Sequence, residues 1–297
     1  MKNLPVLRAF IRLSRLKFLT GGLLGFALGA AVARYDGAYI DWQVYVLGQM
    51  MVSSFHLMVH YANDYYDRFC DESAERTAWS GGSGALLEGG LSPRIALNAA
   101  FVCAGVGAFA IAVFAISAAF VPALVGLLIA ILCWSYSAPP MRLLARGWGE
   151  LDTAVIIGLL FPLAGYVTFT HMPAPRLFAS ALPSIAAVIV LMFCVEYPDV
   201  DSDRATGKMN LVARLGRERA RYLIYAAVAA IYAATILAIV LGGVVSLAYF
   251  IALTTPIAWF LCMRIGKAEA ADVAASGVAL FVATILGSTL AYVAVTL

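Results

Sequence analysis

Two short segments of the chain carry acidic side chains whose types and spacing could do chemistry. Asp64, Asp67 and Asp71 lie in the first segment, and Asp199 and Asp203 lie in the second. If each segment is helical, the spacings i, i+3, i+7 and i, i+4 place its carboxylates on one face. Carboxylates this close disfavour ionisation, so a hard divalent cation with oxygen ligands is the expected counter-charge. Two such clusters could hold a diphosphate between them through bridging Mg²⁺.

The alternative to a metal site is a solvated, charged loop at a membrane surface. One acidic cluster alone would favour that explanation. Two clusters favour it less, because only 12% of the residues are charged, compared with about 25% in a typical soluble domain.

Basic residues are interleaved with these acids. Five of them are candidates to bind the phosphates of such a ligand: Arg68, Arg76, Arg142, Arg204 and Lys208. Guanidinium and ammonium groups bind phosphate well, although contact with lipid headgroups is the alternative for each. The glycine-rich stretch 80–84 could cap the site and offer backbone N–H groups to phosphate, or it is a flexible linker.

Two histidines lie one helical turn apart. His56 and His60 have the i, i+4 spacing that can bind a metal ion. No Glu follows His56, and one ligand pair is weak support for a zinc site. We interpret the pair as helix packing or as lining of the site.

The composition identifies the elements that must position these side chains. Of the 297 residues, 63% are hydrophobic, and the mean hydropathy is +0.90. These values exclude a disordered chain and an ordinary soluble domain, and they predict one membrane domain over residues 1–297. The net charge of +3 is too small to suggest a nucleic-acid partner.

Apolar runs predict an all-α bundle of nine transmembrane helices. The predicted spans are 17–34, 42–62, 95–117, 119–138, 151–170, 177–197, 219–241, 243–262 and 273–295. With the N-terminus in the cytoplasm, all Lys and Arg residues except Arg34 and Arg176 lie on the cytoplasmic side, as expected for inner-membrane loops. The acidic segments then lie in polar cap loops between helices 2 and 3 and between helices 6 and 7. We therefore expect an active site at the cytoplasmic face of the inner (plasma) membrane.

This one-sided placement of charge favours some functions over others. A transporter needs polar groups near the middle of the bilayer and access from both sides. An enzyme that works on a polar headgroup at one face needs neither of these. A scaffold without catalysis would not need two acidic segments.

Several motifs resemble those of the UbiA-type intramembrane prenyltransferase superfamily. The first is Asn63-Asp64-x-x-Asp67-x-x-x-Asp71. The second is Glu196-Tyr197-Pro198-Asp199-x-x-x-Asp203-Arg204-x-x-Gly207-Lys208. Between them, Ser135-Tyr136-Ser137-Ala138-Pro139-Pro140-x-Arg142 is similar to the loop between the family's fourth and fifth helices. Met209-Asn210 and Ala78 depart from residues that are frequent in the family.

The resemblance implies an enzyme that transfers a polyprenyl group from a polyprenyl diphosphate to an aromatic acceptor within membrane lipid. Carried over to this chain, it implies two Mg²⁺ ions held by Asn63, Asp67, Asp199 and Asp203. It places Asp64, Asp71 and Tyr136 in the catalytic site. Arg142 and Lys208 would bind the diphosphate, together with Arg76 and Arg204 from the interleaved cations. The metal-bound diphosphate would leave an allylic cation, which the acceptor ring attacks in an apolar tunnel.

The second motif looks most like the branch that prenylates 1,4-dihydroxy-2-naphthoate in menaquinone synthesis. Branches that use 4-hydroxybenzoate, homogentisate, a chlorophyllide or a lipid remain alternatives. An ion-coupled transporter is a remote one.

Overall fold

The computed structural model describes residues 4–71, 78–79, 82–88, 90–267 and 269–297, which form helices and their connections without a β-strand. The α-helices are α1 (Leu4–Ser14), α2 (Thr20–Tyr35), α3 (Trp42–Tyr66), α4 (Arg68–Asp71), α5 (Pro93–Ile116), α6 (Phe120–Ser135), α7 (Gly149–Thr153), α8 (Phe161–Thr170), α9 (Pro175–Glu196), α10 (Val200–Thr206), α11 (Leu211–Leu215), α12 (Arg217–Val240), α13 (Ser246–Ala252), α14 (Thr255–Arg264) and α15 (Ala270–Thr296). A 3₁₀ turn (Leu16–Leu19) precedes α2, and a π-helical segment (Ala154–Leu160) joins α7 to α8.

The chain is a multi-pass membrane protein. Within the described residues, six continuous helical stretches are long and apolar enough to cross a membrane: Val6–Tyr35, Pro93–Ile116, Gly149–Thr170, Pro175–Glu196, Arg217–Val240 and Ala270–Thr296. The pair of α13 and α14, bent by 40°, adds a seventh if it forms one span. Pro256 lies in the first turn of α14, close to the bend expected from a helix-breaking residue. α6 has 16 residues, fewer than the roughly 20 that span a bilayer. Nine spans and their orientation therefore remain predictions.

Glycines let α2 and α8 pack backbone against backbone. A Cβ atom added at Gly29 would lie 1.8 Å from the Pro162 carbonyl oxygen, and one at Gly165 would lie 2.0 Å from the Phe26 carbonyl oxygen. Any larger residue would force the two helices apart. Close approach through small residues is typical of membrane helix pairs.

Two charged groups at the far end of the bundle, Asp36 and Arg176, are paired with each other. The Asp36 carboxylate lies 2.8 Å from Arg176 Nε and accepts a hydrogen bond of 2.8 Å from the Tyr166 hydroxyl. Arg176 also donates to the Gly242 carbonyl at 2.8 Å. These contacts tie α2, α8 and α9 together, which is a structural role.

The opposite end of the bundle brings the two acidic segments together. The last turn of α3 and the first turn of α7 meet there with the end of α9, and α10 and α11 follow α9 in the chain. α10 contacts α4 and α11, and α11 contacts α9.

Candidate active site

The first acidic segment begins at the end of α3. The helix ends at Tyr66, and Asp67 is its C-terminal cap, so the segment is not one unbroken helix through Asp71. Asn63 donates a hydrogen bond of 2.8 Å to Asp67 Oδ2 and lies 3.1 Å from the Ser137 hydroxyl. The amide and the carboxylate therefore form a fixed pair of oxygen-bearing groups.

The second acidic segment forms the start of α10. Asp199 precedes the helix, and the Asp203 N–H donates to the Asp199 carbonyl at 2.8 Å. Asn210 donates to Asp203 Oδ2 at 2.6 Å and accepts from the Ala213 N–H at 2.7 Å. Burial raises the pKa of the Asp203 carboxyl, against the opposing effects of Lys208 and of the Asn210 hydrogen bond. Asn210, one of the departures from the family pattern, thus caps α11 and holds a candidate metal ligand.

Lys208 joins the two segments. Its ammonium nitrogen lies 3.8 Å from Asp67 Oδ2 and 3.8 Å from Asp203 Oδ1. Both carboxylates are buried, so they need a compensating positive charge. The lysine supplies that charge at a point that both segments reach.

The donor set fits Mg²⁺ that also binds substrate phosphates. Among the described residues, no three His, Cys, Asp or Glu side chains converge closely enough to hold a metal ion by themselves. Mg²⁺ usually takes one or two protein carboxylates, several waters and phosphate oxygens. Asn63 with Asp67 on one side, and Asp199 with Asp203 on the other, offer such partial sets.

Asp64 lies in a different network from Asp67. Its carboxylate forms an ion pair with Arg15 and accepts a hydrogen bond from the Ser83 hydroxyl. Asp64 and Asp67 therefore have separate partners, Arg15 and Ser83 for the first and Asn63 and Lys208 for the second. Sequence reasoning missed Arg15 as a site residue, and it interpreted Ser83 as part of a linker.

Arg204 also differs from its predicted role. Its Nε donates to the Ala213 carbonyl at 2.6 Å, and Nη2 lies 3.5 Å from the Arg214 carbonyl. Arginine side chains commonly satisfy carbonyls at helix C-termini in this way. The structure therefore places Arg204 on the backbone of α11 and gives no support to a direct contact with diphosphate.

Of the remaining predicted site residues, the structure describes the side chain of Arg142 but not those of Arg76 and Asp71. The Arg142 side chain is exposed, and within the described part of the chain it makes no ion pair or side-chain hydrogen bond. It is therefore available to a ligand. Arg76 and the side chain of Asp71 lie outside the described residues, so their predicted roles remain untested.

Glu150 orders the segment that carries Lys208. Its carboxylate accepts a hydrogen bond of 2.6 Å from the Leu211 N–H at the start of α11. The glutamate belongs to α7, whereas Lys208 and Asn210 lie just before α11. A buried carboxylate thus fixes the loop that brings Lys208 to the two acids.

An apolar cavity of about 170 Å³ opens beneath Asn63. Tyr136, the tyrosine predicted near the reacting carbon, lines it together with Asn63. Farther in, the wall consists of aliphatic and aromatic side chains, including Ile157, Leu191 and Phe281. The cavity offers an allylic chain a dry compartment that begins at the polar end of the bundle.

Cationic and aromatic residues from the N-terminal part of the chain also line this cavity. Lys17 lies over the Trp79 ring, 4.2 Å from its centroid. The Phe18 ring lies 5.7 Å from Trp79 and 6.0 Å from His60. His56 and His60 both line the cavity.

The chain is similar in sequence to curated proteins and similar in fold to a solved structure. The protein is 25% identical over 233 residues to the chloroplastic 2-carboxy-1,4-naphthoquinone phytyltransferase of Arabidopsis thaliana, a match that covers 75% of this chain and 59% of that protein. It is 21% identical over 247 residues to the 1,4-dihydroxy-2-naphthoate octaprenyltransferase of Bacillus subtilis, which covers 82% and 78%. A UbiA homologue from Archaeoglobus fulgidus bound to GPP and Mg²⁺ superposes with a TM-score of 0.65 at 18% identity, over 94% of this chain and 99% of that one.

A sequence model of the UbiA prenyltransferase family matches residues 23–285. The matched range contains both acidic segments, Lys208 and most of the cavity wall, but not Arg15, Lys17, Phe18 or Thr20. Because it covers most of the 297 residues, the match settles the family. The chain belongs to the UbiA prenyltransferase family.

Proposed function

We propose that this protein catalyses Mg²⁺-dependent transfer of a polyprenyl group from its diphosphate to 1,4-dihydroxy-2-naphthoate, at the cytoplasmic face of the plasma membrane. The observation that carries the proposal is Lys208, placed 3.8 Å from Asp67 and from Asp203 above an apolar cavity. This arrangement suits a ligand with a highly charged head and an apolar tail.

The diphosphate would bind where the two acidic segments meet. Asn63 and Asp67 would hold Mg²⁺ on one side, and Asp199 and Asp203 would hold it on the other. The bound ions would neutralise the diphosphate and make it a better leaving group. Mg²⁺ would then supply the positive charge that the two carboxylates need, and the Lys208 ammonium group would be able to turn to the phosphate oxygens.

The reacting carbon would lie at the upper end of the cavity. Tyr136 lines this end beside Asn63, and the face of its ring can stabilise an allylic cation. The apolar wall excludes water that would otherwise trap the cation. The rest of the isoprenoid would extend along the wall towards Phe281.

The acceptor assignment is supported by the chemistry of the cavity mouth and by the relatives. Lys17 lies against aromatic rings, and among the described residues no carboxylate contacts its ammonium group within salt-bridge distance. A cation beside aromatic faces suits an aromatic acid. The two curated relatives are named for carboxylated naphthalene compounds, which have this chemistry.

The distribution of buried acids favours an enzyme over an ion-coupled transporter. Within the described residues, the buried carboxylates are those of Asp64, Asp67, Glu150, Asp152, Glu196 and Asp203. All of them lie on helix ends or loops at the same end of the bundle. A transporter would be expected to place such groups near the middle of the membrane.

The proposal is tested by prenyl transfer with purified protein in nanodiscs. Geranylgeranyl diphosphate is supplied with 1,4-dihydroxy-2-naphthoate, 4-hydroxybenzoate or homogentisate, with Mg²⁺ or EDTA, and products are identified by mass spectrometry. Asp67→Asn and Asp203→Asn are each expected to lower kcat by about 100-fold or more, the scale of losing one preorganised electrostatic contact.

Asp201→Asn is the matched control for these variants. Asp201 lies in the same segment, but its side chain is 75% exposed and pairs with Arg217 at 2.7 Å. It should retain wild-type activity. Transfer that survives EDTA and both substitutions would refute the metal–diphosphate site. Transfer to 4-hydroxybenzoate or homogentisate but not to the naphthoate would refute the acceptor.

A further inference from the structure

The cavity wall contains a histidine that the proposed function does not yet use. His56, His60 and Asn63 lie on one face of α3, and all three line the cavity. At 1.5 Å of rise per residue, His60 lies about 4.5 Å below Asn63 along the helix axis. This depth is one helical turn inside the cavity from the groups that would hold the diphosphate.

The hydrogen bond of His60 determines which ring nitrogen is free. Its Nδ1 lies 3.3 Å from the Ser14 carbonyl oxygen. A carbonyl can only accept, so Nδ1 carries the hydrogen of the neutral ring and Nε2 is left with its lone pair. Ser14 is itself held, because its hydroxyl shares a hydrogen bond of 2.7 Å with Tyr61.

The other groups around the cavity are poor candidates to take up a proton. Among the described residues that line it there is no Asp or Glu, and the charged ones are the cations Arg15 and Lys17. His56 Nδ1 is buried without a hydrogen-bond partner among the described residues, so no bond fixes its tautomer, and it lies against α2, where a Cβ atom added at Gly22 would be 2.8 Å away. His60 is thus the cavity residue with an oriented tautomer and an available basic nitrogen.

We propose that His60 Nε2 accepts the proton of the acceptor hydroxyl that lies next to the prenylated ring carbon. The inference rests on the proposed function. As the O–H bond breaks, the electron pair left on oxygen enters the ring, and the ring carbon forms a bond to C1 of the prenyl group. The C1–O bond has already broken at this stage, and its electron pair has left with the diphosphate, so the ring carbon attacks the allylic cation.

The remaining steps restore the aromatic ring and the histidine. The prenylated carbon loses its carboxylate as CO₂, and the electron pair of that bond returns to the ring. The ring oxygen then takes the proton back from His60. The products are the prenylated 1,4-dihydroxynaphthalene, CO₂ and diphosphate, with no net change in protons on the enzyme.

His60→Asn separates this role from a structural one. The asparagine amide nitrogen can occupy the position of Nδ1 and still donate to the Ser14 carbonyl, but asparagine has no basic nitrogen. We expect kcat to fall by about 100-fold, within the usual range for loss of a general base. The KM values for geranylgeranyl diphosphate and for the naphthoate should stay within about threefold, since binding contacts are retained. His171→Asn, at an exposed turn after α8, is the control.

Varying the acidity of the acceptor hydroxyl gives a second test. If His60 had only a structural role, the ratio of wild-type to His60→Asn kcat would not depend on this acidity. A ring-halogenated 1,4-dihydroxy-2-naphthoate that is ionised at the assay pH needs no base. The ratio of wild-type to His60→Asn kcat should therefore fall from about 100 to below about 10 with this acceptor.

The measurements on His60→Asn distinguish a proton acceptor from a structural residue. An unchanged kcat in His60→Asn, or the same kcat ratio for both acceptors, overturns the inference while the proposed function stands. Loss of thermal stability or of geranylgeranyl diphosphate binding in step with kcat assigns His60 a structural role and also overturns it. If the wild-type protein transfers no prenyl group to any acceptor, the proposed function fails and the inference fails with it.

Discussion

Replacing Lys208 by methionine should destabilise the protein in a way that Mg²⁺ reverses. The ammonium group lies 3.8 Å from Asp67 and 3.8 Å from Asp203. Methionine keeps the apolar part of the side chain but removes the charge. Two buried carboxylates would then face each other without compensation, and a divalent cation is the natural replacement.

The size of the effect follows from the geometry. A pair of unit charges about 4 Å apart gains about 4 kcal/mol at an effective dielectric constant of 20. Removing one partner of a buried pair typically costs about 3–5 kcal/mol. At 3.8 Å the Lys208 contacts lie beyond hydrogen-bond distance, so we take about 3 kcal/mol, the lower end. For a chain of this size, that corresponds to a fall in Tm of about 6 °C.

The assay is thermal unfolding in detergent with EDTA or with saturating Mg²⁺. The fall of about 6 °C is expected in EDTA, and it should shrink to below about 1 kcal/mol, or about 2 °C, when Mg²⁺ supplies the charge. Lys267→Met, at an exposed lysine, controls for the loss of a surface cation. An equal loss of stability with and without Mg²⁺ would show that the acids do not bind the ion at this point, and the reasoning would be refuted.

Two further substitutions distinguish groups that bind substrate from groups that hold the fold. Lys17→Met should raise the KM for the naphthoate by about tenfold, which corresponds to about 1.4 kcal/mol of lost charge pairing. The KM for geranylgeranyl diphosphate should stay unchanged. An equal rise in both KM values would contradict an acceptor-specific role for Lys17. Arg204→Met should lower the Tm, because two backbone carbonyls of α11 lose their donor, but should leave the affinity for geranylgeranyl diphosphate at wild type within about threefold. A large loss of diphosphate affinity would restore the predicted phosphate contact.

The meeting of the two acidic segments could be predicted because it follows from topology. Helices of similar length that alternate in direction bring every second connection to the same end of a bundle. The charge asymmetry of the chain indicates the same end. The structure accordingly places Asp67, Asp203 and Lys208 together.

Side-chain partners could not be predicted in the same way. Arg15 pairs with Asp64 although 49 residues separate them, and no periodicity in the sequence relates the two positions. Arg204 and Lys208 are both basic residues of one short segment, yet only Lys208 faces the acids. The difference arises because Gly207 ends α10 with a φ of +75°, and the reversed chain presents Lys208 towards Asp203. Residue type alone does not reveal that reversal.

Asp64 and Asp67 act on different sides of the proposed reaction site, the acceptor side and the diphosphate side. Asp64 pairs with Arg15, while Arg12 donates to the Ser83 carbonyl at 3.1 Å and pairs with Glu88 at 3.0 Å. These contacts fix the N-terminal segment over the cavity, and that segment carries Lys17 and the Ser14 carbonyl. The aspartate next to Asn63 therefore orders the side of the cavity proposed for the acceptor, whereas Asp67 serves the side proposed for the diphosphate. Because the last turn of α3 holds Asp64 and its C-terminal cap is Asp67, a change at Asp64 should affect the acceptor KM before it affects the metal requirement.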